Sequence, residues 1–256
     1  MLTDTHCHLD AAEFDADRDA VLARAYATGV SRIVVPSVER ANFGAVASLC
    51  RAEPACVAAY GIHPMYVGRA RQDDLVALRN MLETGNAVAV GEIGLDHFVA
   101  ERDESLQAHF FVEQLKIARE FDLPVLLHVR RAIDAVLGKL RRFPVRGGIA
   151  HAFNGSRQQA EAFIDLGFKL GFGGAMTWTR ALRIRELAAT LPLEAIVLET
   201  DAPDIPPQWL GKGRNEPAEM AGILQAFSVL RGISEADAET AIQGNVRSAL
   251  PALQSG

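Results

Sequence analysis

Short apolar runs rich in β-branched residues recur along the whole chain, at residues 2–8, 31–38, 57–63, 87–94, 124–129, 147–151, 169–174 and 195–201. Most are followed by a segment of helical periodicity. Residues 18–28, 107–121, 131–140 and 158–166 place apolar side chains at helical spacing, with Gly29, Asp122 and Gly167 near their ends. Strict alternation of strand and helix implies parallel strands. Parallel strands buried on both faces read as continuous apolar runs, and eight of them linked by helices suit a closed (β/α)8 TIM-type barrel better than an open sheet. Helical stretches at 218–231 and 235–241 would complete the outer ring.

A length of 256 residues would also accommodate two small domains. No linker, low-complexity tract or change of composition divides the chain, so residues 1–256 are read as one barrel domain. A hydrophobic fraction of 49% with 23% charged residues fits a globular protein with a sizeable core and argues against disorder. Met1-Leu2-Thr3-Asp4 lacks a basic region followed by an apolar stretch, and no later segment is apolar for long enough to span a bilayer. The expected location is therefore the cytoplasm, with no membrane contact and no obligate protein partner. Cys7, Cys50 and Cys56 have neither an even count nor zinc-finger spacing, and read as small core residues.

The residues with chemistry in them gather at the ends of the apolar runs, where a barrel builds its active site. In Asp4-Thr5-His6-Cys7-His8 the alternation points His6 and His8 the same way and Cys7 toward the helices. Two imidazoles on one strand face form a metal-binding pair, whereas histidines facing an apolar core would each need a polar partner. Further runs end in Gly61-Ile62-His63-Pro64, Gly91-Glu92-Ile93-Gly94-Leu95-Asp96, Leu126-Leu127-His128, Ile149-Ala150-His151 and Leu198-Glu199-Thr200-Asp201. Of the seven histidines, only His97 and His109 fall elsewhere, and these read as ordinary loop or helix residues. The imidazole and carboxylate set exceeds the needs of one tetrahedral zinc and suits two cations sharing a carboxylate, with Glu92 as the bridge. Such a set accepts magnesium, manganese or zinc. Glu199 shares a strand face with Asp201 and is expected to hydrogen-bond a ligating imidazole. Spacing leaves open whether Asp96 positions a water or caps the following helix.

Together with Leu123-Pro124-Val125-Leu126-Leu127-His128-Val129-Arg130 and Glu199-Thr200-Asp201-Ala202-Pro203, these motifs resemble the TatD family of metal-dependent deoxyribonucleases. The likeness runs from Asp4 to Asn245, with Gln107, His151-Ala152-Phe153, Asn215-Glu216-Pro217 and Gly244-Asn245 in the family's order. The resemblance implies an amidohydrolase-like barrel. It also implies one metal held by His6, His8, Glu92 and Asp201, a second held by Glu92, His128 and His151, and His63 on a phosphate oxygen. Met65, Asn154 and Leu250 depart from the family pattern.

The expected activity is phosphodiester hydrolysis in single-stranded DNA by a 3′ exonuclease, with Glu92 and Asp201 as the catalytic carboxylates. Asp201 would orient a metal-activated water and accept its proton. Related barrels cleave other esters and amides, and D-aminoacyl-tRNA is the alternative substrate. A net charge of −6 and a pI near 5.7 exclude a broad basic footprint, so bound cations must supply positive charge where a phosphate sits. Arginines and aromatics in the strand-to-helix loops admit two readings. Arg130 and Arg131 after His128, Tyr66 before Arg69 and Arg71, Trp178 before Arg180 and Trp209 before Lys212 can stack bases and attract phosphates, or can roof the barrel. Arg130 is the substrate contact singled out among them. Lys139, Arg141 and Arg142 belong to the far end of their helix, where they complement its dipole.

Overall fold

The structure is a computed structural model that describes residues 1–254. Its strands are β1 Leu2–Asp4, β2 Val30–Pro36, β3 Cys56–Tyr60, β4 Ala87–Asp96, β5 Val125–Arg130, β6 Gly148–Ala150, β7 Phe168–Phe172 and β8 Ile196–Leu198. They pair in chain order, each neighbour parallel. The ring is joined just beyond β1 and β8, where Cys7 bridges Ala202. There the Asp201 N–H donates to the His6 carbonyl and the His8 N–H to the Ala202 carbonyl, both at 2.8 Å. The barrel expected from the alternation is thus the fold observed.

Between the strands lie α1 Arg18–Ala27, α2 Phe43–Ala52, α3 Gln72–Glu83, α4 Glu104–Glu120, α5 Ile133–Arg142, α6 Arg157–Asp165 and α7 Leu182–Thr190, followed by α8 Met220–Arg231 and α9 Glu235–Ala249. Local chemistry sets their ends. The Ser156 hydroxyl accepts the Gln159 N–H while Gln159 reaches back to the Ser156 N–H, starting α6, and Gly232 in the left-handed region (φ +65°) stops α8. Lys139, Arg141 and Arg142 occupy the last turn of α5. Among the described residues no helix is long and apolar enough to cross a membrane.

Burial follows the strand pattern. All ten residues of β4 are buried, as are Ile33 to Val35 of β2 and Val125 to Leu127 of β5, so strand side chains fill the barrel and face the helices. Cys7 and Cys56 are buried in this core, and all three cysteines are free. Gly94 shows how closely β4 and β5 approach, since a Cβ there would lie 1.9 Å from the His128 carbonyl oxygen.

Candidate metal centre

Six of the expected strands end early, and for β1 and β8 the reason is chemical. Asp4 turns its carboxylate onto the backbone, where Oδ1 accepts the N–H groups of His6 (3.2 Å) and Thr200 (2.9 Å) and Oδ2 accepts the Thr200 hydroxyl (2.5 Å). These contacts replace the next rungs of the ladder, so β1 stops at Asp4 and β8 at Leu198. His6, His8 and Asp201 consequently stand in the first residues past their strands, as His63 and His151 do past β3 and β6, while Glu92 and His128 remain inside β4 and β5.

All seven of these side chains converge at the barrel mouth. Glu92 is the centre, and its two oxygens divide the imidazoles between them. Oε2 faces Nε2 of His6 (3.2 Å) and of His8 (3.5 Å). Oε1 faces His151 Nε2 (2.8 Å), His128 Nδ1 (2.9 Å) and His63 Nε2 (3.4 Å). Asp201 Oδ1 closes the first group, 3.6 Å from His6 and 3.8 Å from His8. Three sets of donor atoms lie within 4.8 Å of one another: His6, His8 and Asp201; His6, Glu92 and His151; and His63, Glu92 and His128.

This set fits divalent cations. Nε2 of His6 and of His8 are only 3.3 Å apart and aim at the same carboxylate oxygen, an arrangement of lone pairs that a cation resolves. The electrostatics without metal point the same way. Burial, with His151 adjacent, pulls the His6 imidazole down to about 3, and burial takes His63 to about 4. For His8, burial is outweighed by Glu92 and Asp201, which raise it to about 9. His151, also opposed by burial, is held well above the usual histidine range by Glu92 and Asp201. Burial alone would raise Glu92, yet His151, His63 and His6 keep it well below the ordinary carboxylate range. Burial pushes Asp201 up to about 6. Protons on imidazoles therefore offset the buried Glu92 anion, a task that bound cations perform equally well.

The surrounding contacts hold the histidines in place. Asp96, whose role spacing left open, is fully buried. Its Oδ2 meets His128 Nε2 at 3.0 Å, and its Oδ1 accepts the N–H groups of Phe98 (2.8 Å) and Val99 (3.3 Å). Although burial opposes it, the His128 contact lowers the Asp96 carboxyl to about 2. The hydrogen bond expected from Glu199 to an imidazole is not formed, because Glu199 Oε1 is 3.7 Å from His151 Nδ1. Oε1 instead accepts the Ala152 N–H at 2.5 Å, fixing a turn in which Ala152 has φ +45°. Glu199 fits only because position 171 is glycine, where a Cβ would lie 2.2 Å from its Oε2.

Sequence reasoning missed Gln114. Its side chain accepts the Ile62 N–H (2.7 Å) and donates to the Ile62 carbonyl (3.0 Å), pinning the segment that carries His63. Gln107, seven residues earlier on α4, does the same for Asp96 at 3.0 and 3.1 Å. A pair of glutamines two turns apart on an otherwise apolar helix face was the available signal.

At the rim, Arg130 is exposed at the end of β5, its guanidinium 3.7 Å from the centre of the Phe98 ring. Both tryptophans are tethered to the scaffold. The Trp178 indole donates to the Pro206 carbonyl (3.0 Å) and the Trp209 indole to Glu219 (2.5 Å). Neither His97 nor His109 joins the metal-capable groups.

The sequence pattern of the family described as "TatD related DNase" matches residues 3–251. This chain belongs to the TatD family. It is a metal-dependent hydrolase of that family. An Escherichia coli K12 relative described as "Uncharacterized metal-dependent hydrolase YjjV" is 42% identical over 231 residues, covering 89% of each chain. A Salmonella typhimurium TatD protein described as "3'-5' ssDNA/RNA exonuclease TatD" is 35% identical over 242 residues, covering 90% of this chain and 91% of its own. The crystal structure of the Escherichia coli TatD homologue YjjV superposes with a TM-score of 0.94 at 39% identity, covering 98% of both chains. A TatD family hydrolase from Entamoeba histolytica shares the fold at 20% identity, with a TM-score of 0.86 over 98% of both chains.

Proposed function

We propose that this chain is a deoxyribonuclease that uses two divalent cations to hydrolyse phosphodiester bonds of single-stranded DNA from the 3′ end, acting as one domain in the cytoplasm. The observation that carries this reading is the division of Glu92, one oxygen toward His6 and His8 and the other toward His63, His128 and His151. A carboxylate with two such flanks suits a bridge between cations. The family, and relatives described as single-strand exonucleases, support DNA as substrate. The free cysteines agree with a reducing compartment.

In this reading His6, His8, Glu92 and Asp201 hold one cation, and Glu92, His128 and His151 the other; magnesium, manganese and zinc all suit these donors. Bound there, the cations supply an acidified water and positive charge for phosphoryl oxygens. Asp201, at the mouth and raised to about 6, orients the attacking water and takes its proton. His63 donates to a phosphate oxygen. Its Nδ1 accepts the Met65 N–H at 3.2 Å, so the neutral ring carries its proton on Nε2, which faces the site. Asp96 keeps His128 oriented, Glu199 supports the Ala152 turn beside His151, and Arg130 meets the substrate backbone at the rim.

The test is hydrolysis of single-stranded DNA labelled at its 3′ or 5′ end by protein reconstituted with magnesium, manganese or zinc, in parallel with a D-aminoacyl ester. Early release of the 3′ label is the expected result. Cleavage of the aminoacyl ester with DNA untouched under all three metals would overturn the assignment.

A further inference from the structure

We infer that Phe98, Arg130 and Arg131 form a second phosphate subsite beside the metal centre, so that the substrate must carry another phosphate next to the bond that is cleaved. The guanidinium carbons of Arg130 and Arg131 lie 3.7 and 4.6 Å from the centre of the same phenyl ring. An exposed aromatic face holds cations without neutralising them. Among the described residues neither guanidinium forms a hydrogen bond or ion pair. Of the acids close by in sequence, Asp134 accepts Gln159 (2.9 Å), Glu104 accepts Arg102 (3.0 Å from Nε) and Asp96 faces His128, while Glu101 pairs with neither arginine. On the neighbouring rim Arg69 is matched by Glu39 (2.9 Å) and Arg40 by Asp74 (3.0 Å). Two like charges gathered on one platform and left unmatched by the protein are complementary to an anion, and paired guanidinia suit phosphate.

The backbone is shaped to bring them together. Consecutive residues of a strand point to opposite faces, so Arg130 and Arg131 should diverge. Arg131 instead takes φ +54°, in the left-handed region that a residue with a Cβ enters at a cost, and both side chains reach Phe98. The platform is also tied to the chemistry. Arg130 pairs in register with Asp96, the Phe98 N–H donates to Asp96 Oδ1 at 2.8 Å, and Asp96 holds His128. Arg130 stands two residues beyond His128 on β5, about 6–7 Å further up the same strand face. A phosphate held there is one step along a chain from a phosphate at the metal centre.

This inference rests on the phosphodiesterase reading, and the test separates the two. Manganese-loaded protein is given dithymidine monophosphate and the same dinucleotide bearing a terminal phosphate on its 5′ or its 3′ end, and the readout is the ratio of kcat/KM values within each protein. One of the phosphorylated dinucleotides should be preferred by about tenfold or more, as one charge-assisted contact allows. Arg131→Gly, which removes the guanidinium at a backbone position that suits glycine, and the Arg130→Ala/Arg131→Gly double variant should bring the ratio toward one. Lysine at both positions should retain part of it. A ratio of one in the parent, or an unchanged ratio in the double variant, overturns the subsite while leaving the phosphodiesterase standing. If the parent cleaves none of the three, the phosphodiesterase reading falls. Equilibrium binding of fluorescent forms of the same dinucleotides then decides the subsite, with the parent's binding expected to weaken more steeply with salt than the double variant's.

Discussion

Glu92 and Asp201 are both buried carboxylates among histidines, yet they differ in what each can lose. All five imidazoles of the cluster lie within 3.5 Å of a Glu92 oxygen, and the two oxygens face different sets. Glu92→Gln keeps the volume and removes the anion, so metal content and turnover should fall together, as elemental analysis and hydrolysis on the same samples would record. Asp201 touches only the flank of His6, His8 and, at 3.9 Å, His151. Asp201→Asn should retain metal at the His128 side while losing about 10²–10⁴-fold in turnover at saturating metal, the range for removal of a general base. Near-parental activity would remove Asp201 from that role. The histidines of this cluster were legible in the sequence because each ends an apolar run. Asp96 was not, because its partner His128 belongs to the neighbouring strand, and only the register pairing Gly94 with His128 and Asp96 with Arg130 brings the two side chains together. For Glu199 the strand face was legible but the partner was not, since a tight turn presents the Ala152 N–H ahead of the ring.

At the level of elements, the alternation of runs was enough to read eight strands, but not where they stop. The expected strands run past Asp4 to His8 and past Leu198 to Asp201, whereas the ladder ends where the Asp4 side chain takes over its donors. Position in the helix layer was legible in outline, from periodicity and end signals. The work of α4 was not, because Gln107 and Gln114 occupy places where an apolar residue would satisfy the same pattern. These glutamines substitute for strand pairing at the β3 and β4 ends, and both are almost fully buried. Gln114→Leu would fill the space but leave the Ile62 N–H and carbonyl buried without partners, at about 1–3 kcal/mol for each. Unfolding in urea should therefore show a loss of about 2–6 kcal/mol. With His63 anchored one residue beyond, KM for DNA should rise as well. A variant as stable as its parent would show that the helix does not hold this segment.

For the whole molecule, the cluster makes stability depend on pH in opposite senses with and without metal. In the metal-free protein His8 is raised from 6.5 to about 9, and His128 and His151 are raised too, in each case by facing carboxylates that outweigh burial. The folded chain then binds more protons than the unfolded chain between pH 6.5 and about 9, and the stability these groups contribute is lost as pH rises through that window. Cations reverse the relation, because the same nitrogens must be unprotonated to act as ligands and protons compete with metal as pH falls. Urea midpoints measured with a chelator should decline from pH 6.5 to 9, while those measured with saturating manganese should not, so the gap between the two curves widens with pH. Proton release on titrating metal into the apo protein, read by calorimetry in buffers of different ionisation enthalpy, should be largest at the low end of that range. A chelated protein that grows more stable across it, or a gap that stays constant, would mean that these histidines do not exchange protons for metal.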